Sequence, residues 1–312
     1  MLVLRRNDPG PTPQNTRNPA IDRSTPSLPP LRGPGGSVVS VHLPQSIRLS
    51  RSGLLAELTA DDLTSSGVVL SIGLPEVGMA EQSHVEVEDP TFLLHDYIRR
   101  MRSILTATAP ELFAPGTPHP VLHLGAGALT LPRWMEQRWP AVKQTVVDYE
   151  PELVDFVLKH LPMARPPESI VADAAEALGD QLAERRFDVV VVDLFNSELA
   201  PAHLIAPAFY RQVQERLTQG GLILMNFGDD ADMSFARGLV GTLLNTLDDP
   251  EAALLSAPDA VMRAQEEGNL VFAARPHGRF TPEQLRRIWA AGPHPGEVLS
   301  GESLTSWSRV NI

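Results

Sequence analysis

Apolar runs that end on a polar or glycine-bearing corner recur through the middle of the chain. They are VLHLGAGALTLP (Val121 to Pro132), TVVDYEPEL (Thr145 to Leu153), SIVADAAEAL (Ser169 to Leu178) and FDVVVVDLFN (Phe187 to Asn196). Short continuous apolar runs bounded by turn residues predict strands buried on both faces. Strands are therefore expected at 121–124, 145–148, 169–172 and 188–193, with a helix around 131–138 after the first. PELVDFVLKHL, AAEALGDQLA and AFYRQVQERL carry helical spacing between and after the others. Gly220-Gly221 turns the chain into a fifth strand, LILMNF, followed by a helix across SFARGLVGTLLNTL. EAALLSA and NLVFAARP give two further strands around PDAVMRAQEEG, and the end reads as a helix, TPEQLRRIWAAG, with an irregular finish. Strand–helix alternation of this kind predicts an α/β fold. The expected architecture is a doubly wound, mostly parallel, seven-stranded Rossmann-like sheet with an antiparallel hairpin at one edge.

The pattern changes toward the amino terminus. Residues 37–89 hold short β-like runs (SVVSVHL, SIRLS, GLLAELTAD, GVVLSIGL) separated by turn residues, which predicts a small β-rich subdomain. TFLLHDYIRRMRSIL follows, with Phe92, Leu93, Tyr97, Met101 and Ile104 at helical spacing, Asp89 as a cap and Pro90 in the first turn. Residues 1–36 are rich in Pro, Asn, Arg, Ser and Gly, lack apolar periodicity, and are expected to be a disordered tail. Residues 90–312 form the expected nucleoside-binding domain.

Composition narrows the chemistry. A net charge of −12 argues against a nucleic-acid partner, which requires basic surface. The absence of cysteine removes disulfides, thiolate catalysis and cysteine-ligated metals. No apolar run approaches the ~20 residues of a membrane span, and no secretory leader is evident, so the expected location is the cytoplasm. His84, Glu198 and His203 lack metal-ligand spacing, and no metal site is expected. There is no P-loop, nucleophile elbow or H-E-x-x-H motif.

In open α/β sheets ligands bind outside the carboxyl ends of the strands, and the corners carry the candidate residues. Gly125-Ala126-Gly127 follows the first strand and lets a ligand approach backbone closely. A dinucleotide fingerprint would place a third glycine where Thr130 stands. Asp148, with Tyr149 beside it, ends the second strand, where a carboxylate can accept ribose hydroxyls. Asp173 after the third is placed for an adenine amino group, and Asp193 ends the apolar run VVVVD, where a carboxylate needs a partner or a task. This succession of acids fits adenosyl sulfonium ligands better than nicotinamide ones. His123 reads as a core residue, Trp134 and Trp139 as packing, and Arg99-Arg100 as a solvated face.

On these residues the chain resembles the spermidine synthase (polyamine aminopropyltransferase) group of Rossmann-like S-adenosylmethionine-dependent transferases, from about Leu54 to near the end. The resemblance includes the β-rich amino-terminal part and EQSHVEVEDPTFLLHDYIRRM, which an ordinary methyltransferase lacks. It implies that Gly125, Gly127, Asp148, Tyr149 and Asp173 bind the adenosyl donor and that Asp193 receives the proton of the attacking amine. It places His95, Asp96 and Asn196 at the acceptor and implies a homodimer. The donor would be S-adenosylmethionine or its decarboxylated form, the acceptor a small-molecule amine.

Three positions depart from the family. Ala128 stands where an acid holds the donor ammonium, Leu94 where a tyrosine precedes the histidine, and Asn196 where a second acid follows the catalytic one. Each departure removes a group that binds or orients a cationic amine. An aminopropyltransferase, a methyltransferase and a non-catalytic paralogue that binds a nucleoside or only a partner all remain compatible with the sequence.

Overall fold

The computed structural model describes residues 42–195 and 200–309, together with the backbone of Leu31–Arg32 and Val38–Val39. The expected tail lies outside the described residues apart from Leu31–Arg32 (β1), which pairs antiparallel with Val38–Val39 (β2). Gln45–Arg48 (β3), Leu55–Ala60 (β4), Gly67–Leu74 (β5) and Gly78–Glu86 (β6) form an antiparallel sheet in chain order. Asp96–Leu112 (α1) leads from it into the larger sheet.

That sheet is built from His119–Leu124 (β7), Val142–Asp148 (β8), Glu168–Val171 (β9), Phe187–Val192 (β10), Leu217–Asp229 (β11), Ala253–Pro258 (β12), Gly268–Ala274 (β13) and Gly296–Ser300 (β14). The helices are Thr130–Arg138 (α2), Leu153–His160 (α3), Ala174–Gly179 (α4), Pro207–Glu215 (α5), Ser234–Leu244 (α6), Asp259–Met262 (α7), Pro282–Ala291 (α8) and Gly301–Arg309 (α9). Strand order is β14-β12-β13-β11-β10-β7-β8-β9. Pairing is parallel from β11 to β9 and antiparallel from β11 to β14. This is the expected mostly parallel Rossmann-like fold, extended by β14. The carboxyl-terminal segment read as irregular is the strand–helix pair β14–α9.

Burial explains the unbroken apolar runs. Val189, Val190, Val191 and Val192 of β10 are at most 3% exposed, because helices cover both faces of the sheet. One face packs on α4, α5, α6 and α9, the other on α1, α2 and α8. A third apolar cluster joins the amino-terminal sheet, through Leu58, Val68, Leu70 and Val85, to Ala126, Ala128 and Leu129 of the glycine turn and to α3. The small sheet is thus fixed against the carboxyl ends of the parallel strands.

Three local readings are corrected. Helix α1 begins at Asp96, not after Pro90; Asp89 instead accepts the Thr91 N–H at 3.0 Å in a preceding turn. Gly220-Gly221 lies inside β11, at the register shift between Phe187↔Leu217 and Val189↔Leu222. A bulge accommodates the extra residues there, and Gly220 at φ +85° supplies the required backbone. Arg100 is not solvated: it is 2% exposed, paired with Asp96 and donating to Ser256 Oγ at 3.1 Å and the Pro293 carbonyl at 3.3 Å.

Candidate active site

A cavity of about 1420 Å³ opens above the carboxyl ends of β7, β8, β9 and β10, and the amino-terminal sheet forms its opposite wall. Its volume exceeds the ~300–1,000 Å³ usual for one small ligand, leaving space for two reactants.

The floor is the turn after β7. Gly125 has φ +95°, and a Cβ there would lie 2.2 Å from the Asp193 carbonyl oxygen. Gly127 has φ +48°, and its Cβ would lie 2.5 Å from Ser83 Oγ. The glycines therefore admit two neighbours, the end of β10 and strand β6. The Ala128 N–H donates to Ser83 Oγ at 3.1 Å, and Thr130 Oγ1 donates to the His84 carbonyl at 2.9 Å. Ala128 itself is fully buried in the cluster beneath the small sheet.

Asp148 stands at the end of β8. Its carboxylate accepts the N–H groups of Ala126 at 2.9 Å and Glu150 at 2.8 Å. Burial raises its pKa above the ordinary carboxylate value, against the opposing effect of these two donors. Next to it Tyr149 is half exposed beneath the Arg51 guanidinium, 4.7 Å from ring centroid to the charge. Arg51 also donates to the Tyr149 carbonyl at 2.7 Å, and buried Glu150 accepts the N–H groups of Arg51 and Ser52 at 3.1 and 2.8 Å. A turn of the amino-terminal sheet is thereby tied to the acidic corner of β8.

Asp173 caps α4, accepting from the N–H groups of Ala175 at 2.9 Å and Glu176 at 3.3 Å. His203 Nε2 lies 2.9 Å from its other oxygen. Burial works against its charge, but the His203 contact and the two backbone donors outweigh it, and its pKa is lowered.

Asp193 follows β10 directly. Asn226 Nδ2, on neighbouring β11, donates to its Oδ1 at 3.0 Å. Burial raises the Asp193 pKa, and the Asn226 bond offsets this only in part. A carboxyl so placed is poised to take a proton. Tyr97 on α1 lines the same cavity, and its own pKa is held well above its usual value by burial first, then by the charges of Asp193 and Glu81.

His95 precedes α1 and stacks on Tyr97, with centroids 6.0 Å apart. Its Nε2 is 3.1 Å from Glu81 Oε1 without the alignment of a hydrogen bond. Burial lowers the His95 pKa, with the Glu81 charge acting the other way. Asp96 lines the cavity but is held by Arg100.

Gly125, Gly127, Asp148, Tyr149, Asp173, Asp193, His95 and Asp96 therefore all line one cavity. Asn196 lies outside the described residues. Sequence reasoning missed Glu81, Gln82 and Ser83 on β6, together with Tyr97, His203 and Asn226. Tyr97 belongs to an apolar helix face; Glu81, Gln82 and Ser83 fall within the resembling segment but carry no role there, His203 figures only as a rejected metal ligand, and Asn226 lies in an apolar strand. His123 is buried with Nε2 2.9 Å from Gln144 Oε1, and burial lowers its pKa to about 4. Trp134 and Trp139 pack edge to face at 5.1 Å, away from the cavity. Among the described residues, no group of three or more His, Cys, Asp or Glu is arranged to hold a metal, and no helix is long and apolar enough to cross a membrane.

Comparison with known proteins bears on the family and the fold. No protein-family model matches the chain. Polyamine aminopropyltransferases of Neisseria meningitidis serogroups A and B are 27% identical over 221 residues, covering 65% of this chain and 76% of theirs. The chain is spermidine synthase-like. Among solved structures, a probable spermidine synthase from Corynebacterium glutamicum superposes with a TM-score of 0.73 at 21% identity, over 86% of this chain and 94% of that one. A spermidine synthase in complex with the transition state analogue AdoDATO has a TM-score of 0.50 at 15% identity, over 87% and 88% of the two chains. Both share the fold.

Proposed function

We propose that this protein is an aminopropyltransferase, joining the aminopropyl group of decarboxylated S-adenosylmethionine to a small amine. The observation that carries this reading is Asp193: a buried carboxyl with raised pKa at the end of β10, in the same cavity as the Asp148 corner. The cavity fits the donor in chemistry as well as size. Gly125 and Gly127 line the cavity, and Asp148 has oxygens for ribose hydroxyls. Asp173 and His203 stand at the base side.

When bound, the sulfonium supplies the leaving group, so the protein's task is to align the reactants and exclude water. The acceptor nitrogen forms a bond to the carbon next to sulfur as the carbon–sulfur bond breaks, and its electron pair leaves with the thioether. Asp193 takes the proton lost by the acceptor nitrogen. Its raised pKa improves it as a base near neutrality, and Asn226 fixes its orientation without adding charge. Tyr97 and His95 form an aromatic wall beside it.

Methyl transfer from S-adenosylmethionine is the second reading, favoured by the apolar burial of Ala128 where an ammonium-binding acid is absent. Calorimetry with S-adenosylmethionine, its decarboxylated form and methylthioadenosine, followed by a transfer assay with putrescine, tests both. Binding of the decarboxylated donor with product formation is expected. Preference for the carboxylated donor moves the reading to methyl transfer, and binding of none overturns both.

A further inference from the structure

Strand β6 carries a device that the sequence does not announce. Ser83 pairs with Leu70 and Glu81 with Ser71, so Gln82 is an extra residue opposite no partner. Side chains alternate across an ordinary strand, whereas a bulge re-aims them. As a result Glu81, Gln82 and Ser83, three consecutive residues, all line the cavity. Ser83 is committed to the glycine turn through the Ala128 N–H. Glu81 is held less firmly: its one ion-pair partner among the described residues is His95, at 3.1 Å, and its side chain is 46% exposed. His95 does not neutralise it, since burial favours the uncharged imidazole there. Tyr97 and Asp193 line the same cavity as Glu81, and the Asp193 carboxylate accepts from the neutral amide of Asn226 at 3.0 Å.

We propose that Glu81, delivered by the β6 bulge, is the carboxylate that holds a primary ammonium group of the substrates and so replaces the acid missing at Ala128. This rests on the aminopropyltransferase reading and names the residue that selects for a cationic ligand there. Glu81, Asp193 and the Tyr97 ring line one cavity, so an ammonium bound there has carboxylates and an aromatic face within the same space. The same carboxylate repels a ligand bearing its own carboxylate, which is how a site excludes a near relative as well as binding the right one. The ammonium could belong to the donor's aminopropyl arm or to the acceptor, and the experiment separates the two.

Glu81→Gln keeps the shape and removes the charge; Glu76→Gln, in the exposed turn between β5 and β6, is the control. Calorimetry is performed with methylthioadenosine, with decarboxylated S-adenosylmethionine, and with putrescine in the presence of methylthioadenosine. Because Glu81 is half exposed, a weakening of about threefold to tenfold is expected for one amine-bearing ligand, with methylthioadenosine unchanged. Loss on the decarboxylated donor assigns the ammonium to the donor; loss on putrescine assigns it to the acceptor. Equal affinities in both proteins for both amines, or a parallel loss of methylthioadenosine, overturns the assignment. So does a wild-type protein that binds neither amine. Failure of the broader reading is seen separately, as absence of methylthioadenosine binding by the wild type.

Discussion

Gly125→Ala tests whether the close approach of β7's turn to β10 organises the site. The backbone at Gly125 sits at φ +95°, beyond the left-handed region open to ordinary residues, which costs roughly 1–3 kcal/mol. The new Cβ would also lie 2.2 Å from the Asp193 carbonyl oxygen and 3.0 Å from its carbon. These are backbone atoms held by the Asp193 N–H bond to the Leu124 carbonyl at 2.9 Å, so relief requires moving the strand end. Overpacking of this kind costs about 1–3 kcal/mol more. The total of about 2–6 kcal/mol corresponds to a fall in Tm of roughly 5–20 °C for a domain of this size. Thermal unfolding measures it, and calorimetry with methylthioadenosine reads the accompanying loss of binding. Gly127→Ala is the internal comparison. Its φ of +48° is within reach of an alanine, and its Cβ meets only Ser83 Oγ at 2.5 Å, a side-chain atom that can rotate away. That rotation sacrifices the Ala128 bond, worth about 1 kcal/mol. Gly125→Ala must therefore be the more damaging. An unchanged Tm for Gly125→Ala, or the reverse order, refutes the reasoning.

Three further substitutions separate the roles. Asp193→Asn should lower transfer by about 10²–10⁴-fold while leaving methylthioadenosine affinity intact, read by steady-state kinetics and calorimetry. A folded pKa raised above the unfolded value gives stability present at low pH and lost as pH rises through it, so at neutral pH this variant should melt no lower than wild type, with its advantage shrinking on acidification. Asp148→Asn replaces one acceptor of two backbone N–H groups by an amide donor, and nucleoside affinity should fall about tenfold or more. His123 is held uncharged, so its stabilising contribution is complete above 6.5 and lost as pH falls toward about 4. That interval corresponds to roughly 3 kcal/mol of pH-dependent stability, which urea unfolding at several pH values should show in wild type and not in His123→Gln.

The parallel strands were legible because burial on both faces forces them into unbroken apolar runs, as in Val189–Val192. Their polar ends were legible for the same reason: Asp148, Asp173 and Asp193 are conspicuous where apolar chain stops. What was hidden depends on pairing between distant segments. Helix α1 starts at Asp96 because the chain between β6 and α1 turns at Asp89–Thr91, while apolar spacing alone extends the helix backward. Arg100 looked solvated because its partners Ser256 and Pro293 are about 150 to 190 residues away. Tyr97 read as an apolar helix position, and in part it is one, since it packs against the α1 side of the core. Only the fold shows that it lines the same cavity as Asp193.

The small sheet is the less legible half of the site and the half that distinguishes this chain. The parallel sheet places Asp148, Asp173 and Asp193 above its strand ends, an arrangement open to many adenosyl ligands. If the substrate is a cationic amine, as proposed, selectivity for it would come from the opposite wall, which is β6. Because β6 is fixed to the glycine turn through Ser83 and Thr130, a shift in its register would move Glu81 relative to Asp193 and Gly127 relative to its neighbour together. The absent acid at Ala128 is intelligible in this light. Its position is enclosed beneath β6, where a carboxylate would be buried among apolar side chains without a partner, whereas Glu81 projects a charge into the cavity from the strand above. On the proposed assignment the counter-charge for an ammonium stands on the wall and not in the turn, which would make the pairing of β5 with β6 as consequential for substrate choice as any residue at the ends of the parallel strands.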